Sequence, residues 1–460
     1  MIHEWNGINV TVMGLGLFGG GVGATRWLLK QGARVTVTDL KSSAELGPSV
    51  RELEGEDICW RLGEHRLEDF TEADAVVVSP AVPKSSGFLR AAYDAGRTVT
   101  SEMNLFLQRC PASVTGITGS NGKTTTTSLT YAALEQTKPG TLMGGNVGRS
   151  LLSHLDSITE KDWVVLELSS FQLEDMARER LGVDIAVVTN LTPNHLDRHG
   201  SFEAYTAAKQ NIIRFLKPGG RAVLNADDRS VSSWGKNIPN DAFYFSLQPS
   251  HTNGAFIRDG CLTIQTGGDV MQLLAIEELP LKGPHNVSNA LAAAMAAHLA
   301  GADANSICRG FHTVTQLEHR MELVKEEHGI RFYNDSKATT PEAAMAALNS
   351  FDSPVILLAG GYDKQLPLDS FAREISKRAS QVILMGQSAN TVKNAVVGNL
   401  AREHTLRVRT VDSLETGVDL ARRSAREGDV VLLSPGFASY GMFNNYEERG
   451  RRFRELVLGS

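Results

Sequence analysis

The chain has 460 residues, with 46 Lys and Arg against 52 Asp and Glu, a formal net charge of -6. That length allows roughly two to four domains with sizeable cores, and the acidic balance leaves no basic footprint for nucleic acid. Cys59, Cys110, Cys261 and Cys308 are scattered with no CxxC pair, which argues against a zinc site or a disulfide framework and suits a reducing cytoplasm.

The first stretch, Met1 to Asn9, is polar and gives no signal peptide, and no apolar run reaches the ~20 residues of a spanning helix. A cytoplasmic protein with no membrane insertion is expected. Ile8 to Met13 is a β-branched strand that runs into Gly14-Leu15-Gly16-Leu17-Phe18-Gly19, with a helix expected from about Gly23 to Gln31. Arg34 to Thr38 is a second strand, ending at Asp39. A GxGxxG turn followed by an acid on the next strand is the dinucleotide fingerprint. Two readings stand: a site for phosphates or a ribose, or glycines kept for tight helix–strand packing. Ala75 to Ser79, closing with Ser79-Pro80-Ala81-Val82-Pro83, and Thr98 to Thr100, followed by Glu102, are further strands. Alternating strands and helices imply a wound parallel sheet whose ligands lie at the carboxyl ends of the strands. Gly14 to Gly19, Asp39 and Ser79 to Ala81 fall there.

Pro111 to Thr118 is a short apolar strand, and Thr125 to Leu134 reads as a helix. Between them lies Gly116-Ile117-Thr118-Gly119-Ser120-Asn121-Gly122-Lys123-Thr124-Thr125. The generic phosphate-loop pattern wants glycine where Ile117 stands, but three glycines and Asn-Gly-Lys-Thr-Thr supply the same physics. Unpaired amides at a helix start, the helix dipole and a lysine hold a triphosphate, and a Thr124 hydroxyl suits Mg²⁺. Gly144-Gly145-Asn146-Val147-Gly148 follows, then a strand Trp163 to Leu168 carrying Glu167, and Ser169-Ser170-Phe171-Gln172. A carboxylate leaving a buried strand needs a cation or a donor, and Mg²⁺ on a triphosphate would serve; a solvent-facing Glu is the alternative. After the strand Ile185 to Thr189 come Asn190 and Thr192-Pro193-Asn194-His195-Leu196-Asp197, with His195 on the ligand side as a candidate metal ligand. Lys209 lies on a helix expected over Tyr205 to Leu216, where a lysine ordinarily faces solvent; turned inward, its pKa would fall. Residues 241 to 277 read as strands, and Gly283 to Asn289 opens an Ala-rich helix. Asn286 and Asn289 share one face of it, suited to an adenine edge or to capping.

His319-Arg320-Met321-Glu322 precedes a hairpin-like stretch to Tyr333, then Asn334-Asp335-Ser336-Lys337-Ala338-Thr339-Thr340. Arg320 can grip phosphate bidentately. Strands at 355–359, 382–385, 408–411 and 430–434 make a third α/β sheet, its first and last closed by Gly360 to Lys364 and Ser434 to Ser439. The basic run Arg449-Gly450-Arg451-Arg452 is expected on solvated surface of the final helix.

These motifs together resemble the ATP-dependent Mur ligases, over nearly the whole chain. The motif Asp335-Ser336-Lys337-Ala338-Thr339, with Ser434 to Ser439, points to the branch that adds D-glutamate to UDP-N-acetylmuramoyl-L-alanine. The resemblance implies three α/β domains: a Rossmann-like UDP-substrate domain at 1–109, a central P-loop-type ATPase sheet at 110–316 and a Rossmann-like amino-acid domain at 317–460. It implies ATP held by Gly119, Asn121, Gly122, Lys123, Thr124 and Thr125, by Asn286 and Asn289 at the adenine, and by Arg320, Asp335 and Lys337. It implies two Mg²⁺ sites, one on Thr124 and Glu167, the other on His195 and a carbamylated Lys209; Lys123, His195 and Lys209 would be catalytic. Leu17, Phe18, Asp39, Ser79, Pro80, Asn146 and His195 would take the UDP-linked substrate, and Thr339, Lys364, Ser439 and Tyr446 the glutamate. A monomer that closes on a hinge is expected. Phe18, Asn194 and Tyr446 depart from the family pattern at the uracil side, beside the metals and in the glutamate pocket. A nicotinamide-dependent dehydrogenase accounts for the first glycines but leaves the second loop, Glu167 and His195 without a task.

Overall fold

The computed structural model describes all residues except 1, 3, 18, 147–149, 239–240, 250–252, 315–317, 352, 364–366, 400–405 and 460. Phe18 and Lys364, both expected at substrate sites, lie outside the described residues. Three α/β sheets are present. The described residues divide into two compact units, Met1–Leu191 with Thr206–Ala275 and Asn289–Phe311, and Thr192–Tyr205 with Ile276–Ser288 and His312–Ser460. Among the described residues, no helix is long and apolar enough to cross a membrane.

The first sheet is parallel: β1 (Asn9–Met13), β2 (Arg34–Asp39), β3 (Ile58–Leu62), β4 (Ala75–Val78) and β5 (Thr98–Thr100), in the order β3-β2-β1-β4-β5. Sequence reading passes over β3, because this edge strand has no fully buried residue and so no apolar run. The strand order reverses between β1 and β4, which opens a crevice at their carboxyl ends. The helix after β1 spans Gly20–Lys30, three residues earlier than expected, since Gly19 in the left-handed region starts it.

The second sheet contains β6 (Ser113–Thr118), β7 (Thr141–Gly145), β8 (Trp163–Glu167), β9 (Ile185–Val188), β10 (Arg221–Asn225), β11 (Ala242–Ser246), β12 (Gly254–Arg258), β13 (Cys261–Thr266) and β14 (Asp269–Ala275). Their order is β14-β13-β12-β11-β10-β9-β6-β8-β7. β6 therefore lies between β8 and β9, so its terminal loop has Glu167 on one side and Thr189-Asn190 on the other. The last two strands turn antiparallel.

The third sheet runs β15 (Glu322–Glu327), β16 (Ile330–Asn334), β20 (Val430–Leu433), β17 (Val355–Gly360), β18 (Ala379–Met385) and β19 (Arg407–Thr410), with only the β15–β16 hairpin antiparallel. Leu357 and Leu432 face one apolar core while Ile356, Leu358 and Val431 face the other, the two-sided burial that makes parallel strands continuously apolar. Because β20 inserts beside β16, Ser434 reaches Asp335.

Candidate active site

Each glycine of the central loop answers a separate constraint. A Cβ on Gly116 would lie 2.9 Å from a Leu168 methyl, and one on Gly119 would lie 1.9 Å from Thr189 Oγ1. Gly122, at φ 82°, caps the helix Lys123–Glu135. The loop is clamped from the end of β9. Asn190 O accepts from the Ser120 amide at 3.0 Å, Asn190 Oδ1 from the Asn121 amide at 2.9 Å, and Asn190 Nδ2 donates to Asn121 O at 3.0 Å. Thr189 Oγ1 adds a bond to the same carbonyl at 2.6 Å. An asparagine side chain thus pairs with the loop as a peptide strand would, which pre-organises the anion cradle at the helix start. Lys123 Nζ curls onto Gly119 O and Ser120 O, both at 2.9 Å. Thr124 is partly exposed in the first helical turn, while Thr125 is buried.

Glu167 ends β8 and is 2 % exposed. One carboxylate oxygen accepts from Asn146 Nδ2 at 2.8 Å; the other is buried with no hydrogen-bond partner among the described residues. A buried anionic oxygen left bare is costly, and a divalent cation satisfies it, so Glu167 fits a metal. No group of three or more His, Cys, Asp or Glu among the described residues could hold a metal. Mg²⁺ would need no more than one or two carboxylates, since it completes its shell with phosphate oxygens and water. Lys209, on the helix Phe202–Arg214, is 1 % exposed, contrary to a solvated face. Its Nζ donates to Gly119 O at 2.9 Å and Thr118 Oγ1 at 3.2 Å. Burial, and then the charge of Lys123, holds its pKa well below the ordinary lysine range, against the opposing pull of Glu167.

In the first sheet, Asp39 Oδ2 accepts from the Gly16 amide at 3.2 Å and Oδ1 from the Lys41 amide at 2.9 Å. A Cβ on Gly14 would lie 2.9 Å from Ser79 Cβ, so the two turns at the strand reversal touch. The close helix–strand approach belongs to Gly21, whose Cβ would lie 2.3 Å from Leu15 O, and not to Gly19. Leu17 stands exposed at the tip.

In the second unit, His195 opens the short helix Leu196–His199 at φ 52°. His319 and Met321, at φ 63° and 48°, flank Arg320 in the same left-handed region. Such conformations cost about 1 kcal/mol or more each in non-glycine residues and cluster at functional sites. Asp335 is buried, accepts from Ser434 Oγ at 2.7 Å and the Met321 amide at 3.2 Å, and is pushed up to about 6 by burial. His285, ahead of the buried Asn286, is pushed down to about 4 by burial and then by Arg320. Lys337 Nζ lies 5.5 Å from the centre of the Tyr446 ring. Thr339 is partly exposed beside it, and Ser439 is buried. Asn289, one turn beyond Asn286, belongs to the first unit; its Oδ1 would lie 2.2 Å from a Cβ on Gly122.

Arg449 corrects the expectation of a solvated basic run. It is 2 % exposed and donates to Ser336 Oγ, Ser336 O and Phe437 O at 2.9 to 3.1 Å. Burial brings it down to about 9 while the Asp335 charge pulls the other way. It joins the 335–339 turn to the 434–439 turn. Nothing in a run of three arginines marks which faces inward, but its spacing from the helix-capping Asn445 could have.

Three family descriptions match the chain in order: Mur ligase MurD-like, N-terminal domain at residues 8–101, Mur ligase middle domain at 117–297, and Mur ligase, glutamate ligase domain at 319–437. The UDP-N-acetylmuramoylalanine–D-glutamate ligase of Roseiflexus sp. (strain RS-1) is 42% identical, covering 98% of both chains. The like-named enzyme of Acetivibrio thermocellus is 39% identical, over 97% of this chain and 96% of its own. Among solved structures, the UDP-N-acetylmuramate-alanine ligase MurC of Thermotoga maritima matches with a TM-score of 0.64 at 18% identity, covering 98% of this chain and 99% of its own. The matched domains and the full-length relatives place the chain among the ATP-dependent ligases. The chain belongs to the Mur ligase family.

Proposed function

We propose that this Mur ligase joins D-glutamate to UDP-N-acetylmuramoyl-L-alanine in peptidoglycan precursor synthesis, releasing ADP and phosphate. The observation that carries the reading is the loop cradle beside a buried carboxylate oxygen without a partner, in a chain whose full-length relatives are named for this reaction.

The γ-phosphoryl group passes to the alanyl carboxylate, giving an acyl phosphate; the amine of glutamate attacks its carbonyl carbon, loses a proton, and phosphate leaves. Two anions must meet, and at 4 Å unit charges repel by about 4 kcal/mol at an effective dielectric of 20. Lys123 offsets that repulsion once drawn off its loop carbonyls, and the loop amides take the phosphate oxygens. Mg²⁺ on Glu167 and Thr124 would supply Lewis-acid charge neutralisation there, and His195 and Lys209 are each proposed as further metal ligands. The buried, easily neutralised amine of Lys209 supports carbamylation, in which it adds to CO₂ and loses a proton to become an anionic ligand. Leu17, Asp39, Ser79, Pro80 and Asn146 take the UDP-linked substrate. Arg320, Asp335, Lys337, Asn286 and Asn289 serve the nucleotide, and Thr339, Ser439 and Tyr446 the glutamate. Scattered cysteines support a cytoplasmic enzyme, and sedimentation tests whether it is a monomer. Phosphate release is expected only when ATP, Mg²⁺, UDP-N-acetylmuramoyl-L-alanine and glutamate are all present, with D-glutamate far better than L-glutamate. Release independent of the UDP-linked substrate would overturn the reading.

A further inference from the structure

The helix Ser170–Arg178 leaves β8 directly after Glu167, fixed at its start by a capping box between Ser169 and Gln172. Its far end is held by the first sheet's elements. Asn104 Nδ2 donates to Asp175 O at 2.9 Å and to Glu179 Oε1 at 2.7 Å, and Thr100 Oγ1 to the same Glu179 oxygen at 2.7 Å. Lys84 pairs with Asp175, and Arg178 with the Tyr93 hydroxyl. Lys84 immediately follows the Ser79–Pro83 turn at the carboxyl end of β4, the turn that touches Gly14. A small cavity bounded by Val78, Leu89, Tyr93 and Thr100 borders the pair.

The ion pair is poorly suited to stabilising the fold. Lys84 and Asp175 are largely removed from water, with side-chain exposures of 23% and 9%. The second Asp175 oxygen is buried with no partner among the described residues. Burial pushes the Asp175 carboxyl up even with Lys84 beside it. A buried pair of this kind repays its desolvation poorly, while its directed bonds fix the geometry of the two elements it joins.

We propose that Lys84 and Asp175 are positioning residues for the UDP-linked substrate: they tie the Ser79–Pro83 turn to the helix that leaves Glu167, and so set the substrate's reach toward the phosphoryl-transfer loop. The inference rests on the function proposed above. It explains why a charged pair bridges these two elements: a turn fixed before the substrate arrives spares binding the cost of ordering it, so loosening the turn weakens binding of the UDP-linked substrate.

The test is the double variant Lys84→Met with Asp175→Leu, beside Lys84→Arg, which keeps the pair. The double variant is expected to melt at or above the wild-type temperature, with KM for UDP-N-acetylmuramoyl-L-alanine raised about tenfold and KM for ATP within about twofold. Lys84→Arg is expected to keep the wild-type KM. A double variant with wild-type KM for the UDP-linked substrate, or one in which both KM values rise together, overturns the inference while the function stands. Wild-type enzyme that turns over no UDP-linked substrate sinks both. Should the double variant not fold, Asp175→Asn alone gives the same reading through its KM for the UDP-linked substrate.

Discussion

The two strand–turn–helix joints of the first unit share a backbone device and differ in charge. Gly19 and Gly122 both sit at φ 82° as the residue before a helix. At the first, Asp39 already occupies the Gly16 amide. At the second, Lys123 rests on two carbonyls. A turn whose amide is taken by a carboxylate is fitted to hydroxyl groups such as those of a ribose, whereas a turn that carries a lysine at its helix start is fitted to phosphate. On the proposed function, the two turns would divide the reaction's two nucleotide-bearing substrates between a carboxylate and a lysine.

Removing the cation from the second turn is the strongest way to break that contrast. Lys123→Ala is expected to lower kcat by about 10²–10³-fold, leaving UDP-substrate affinity by calorimetry near wild type. The second unit extends the comparison, because there a buried arginine and not a glycine turn ties the 335–339 turn to the 434–439 turn. Arg449→Ala is expected to lower unfolding free energy by about 3 kcal/mol, since it strands the Ser336 and Phe437 carbonyls and removes the charge facing Asp335; urea midpoints measure this. Asp335 sharpens the electrostatic side. Its pKa is raised to about 6 from 3.8, so the folded state holds its proton longer than the unfolded one. That contribution is present below about pH 4 and is lost as pH rises through 6, a change on the order of 2–3 kcal/mol. Melting temperatures of Asp335→Asn against wild type from pH 4 to 7 are expected to lack this component. The smallest effect returns to the first turn: Asp39→Ala is expected to raise KM for the UDP-linked substrate about tenfold, the worth of one charge-assisted bond, with KM for ATP unchanged.

Much of this is legible in the sequence. The loop Gly116 to Thr125, the end-of-strand Glu167 and the hairpin ahead of Asp335 are local patterns, and their physics is written in neighbouring residues. What escapes depends on residues distant in sequence. Asn190 clamps Asn121 across 69 positions, which spacing alone does not suggest. Lys209 is inward because the helix Phe202–Arg214 turns that face toward Thr118, and an Ala-Ala-Lys run reads equally well either way. Gly21 and not Gly19 takes the tight packing, a distinction that depends on where Leu15 O points. The edge strand β3 lacks the burial that makes strands visible in sequence.

Underlying all of this is phosphoryl transfer from the cradle to a carboxylate. Substrate carrying ¹⁸O in the alanyl carboxylate, turned over with unlabelled ATP and D-glutamate, tests it directly. One ¹⁸O atom is expected in each phosphate released, and one in the new amide. Phosphate free of label would contradict an acyl phosphate, and with it the roles of Lys123 and Glu167 in forming one.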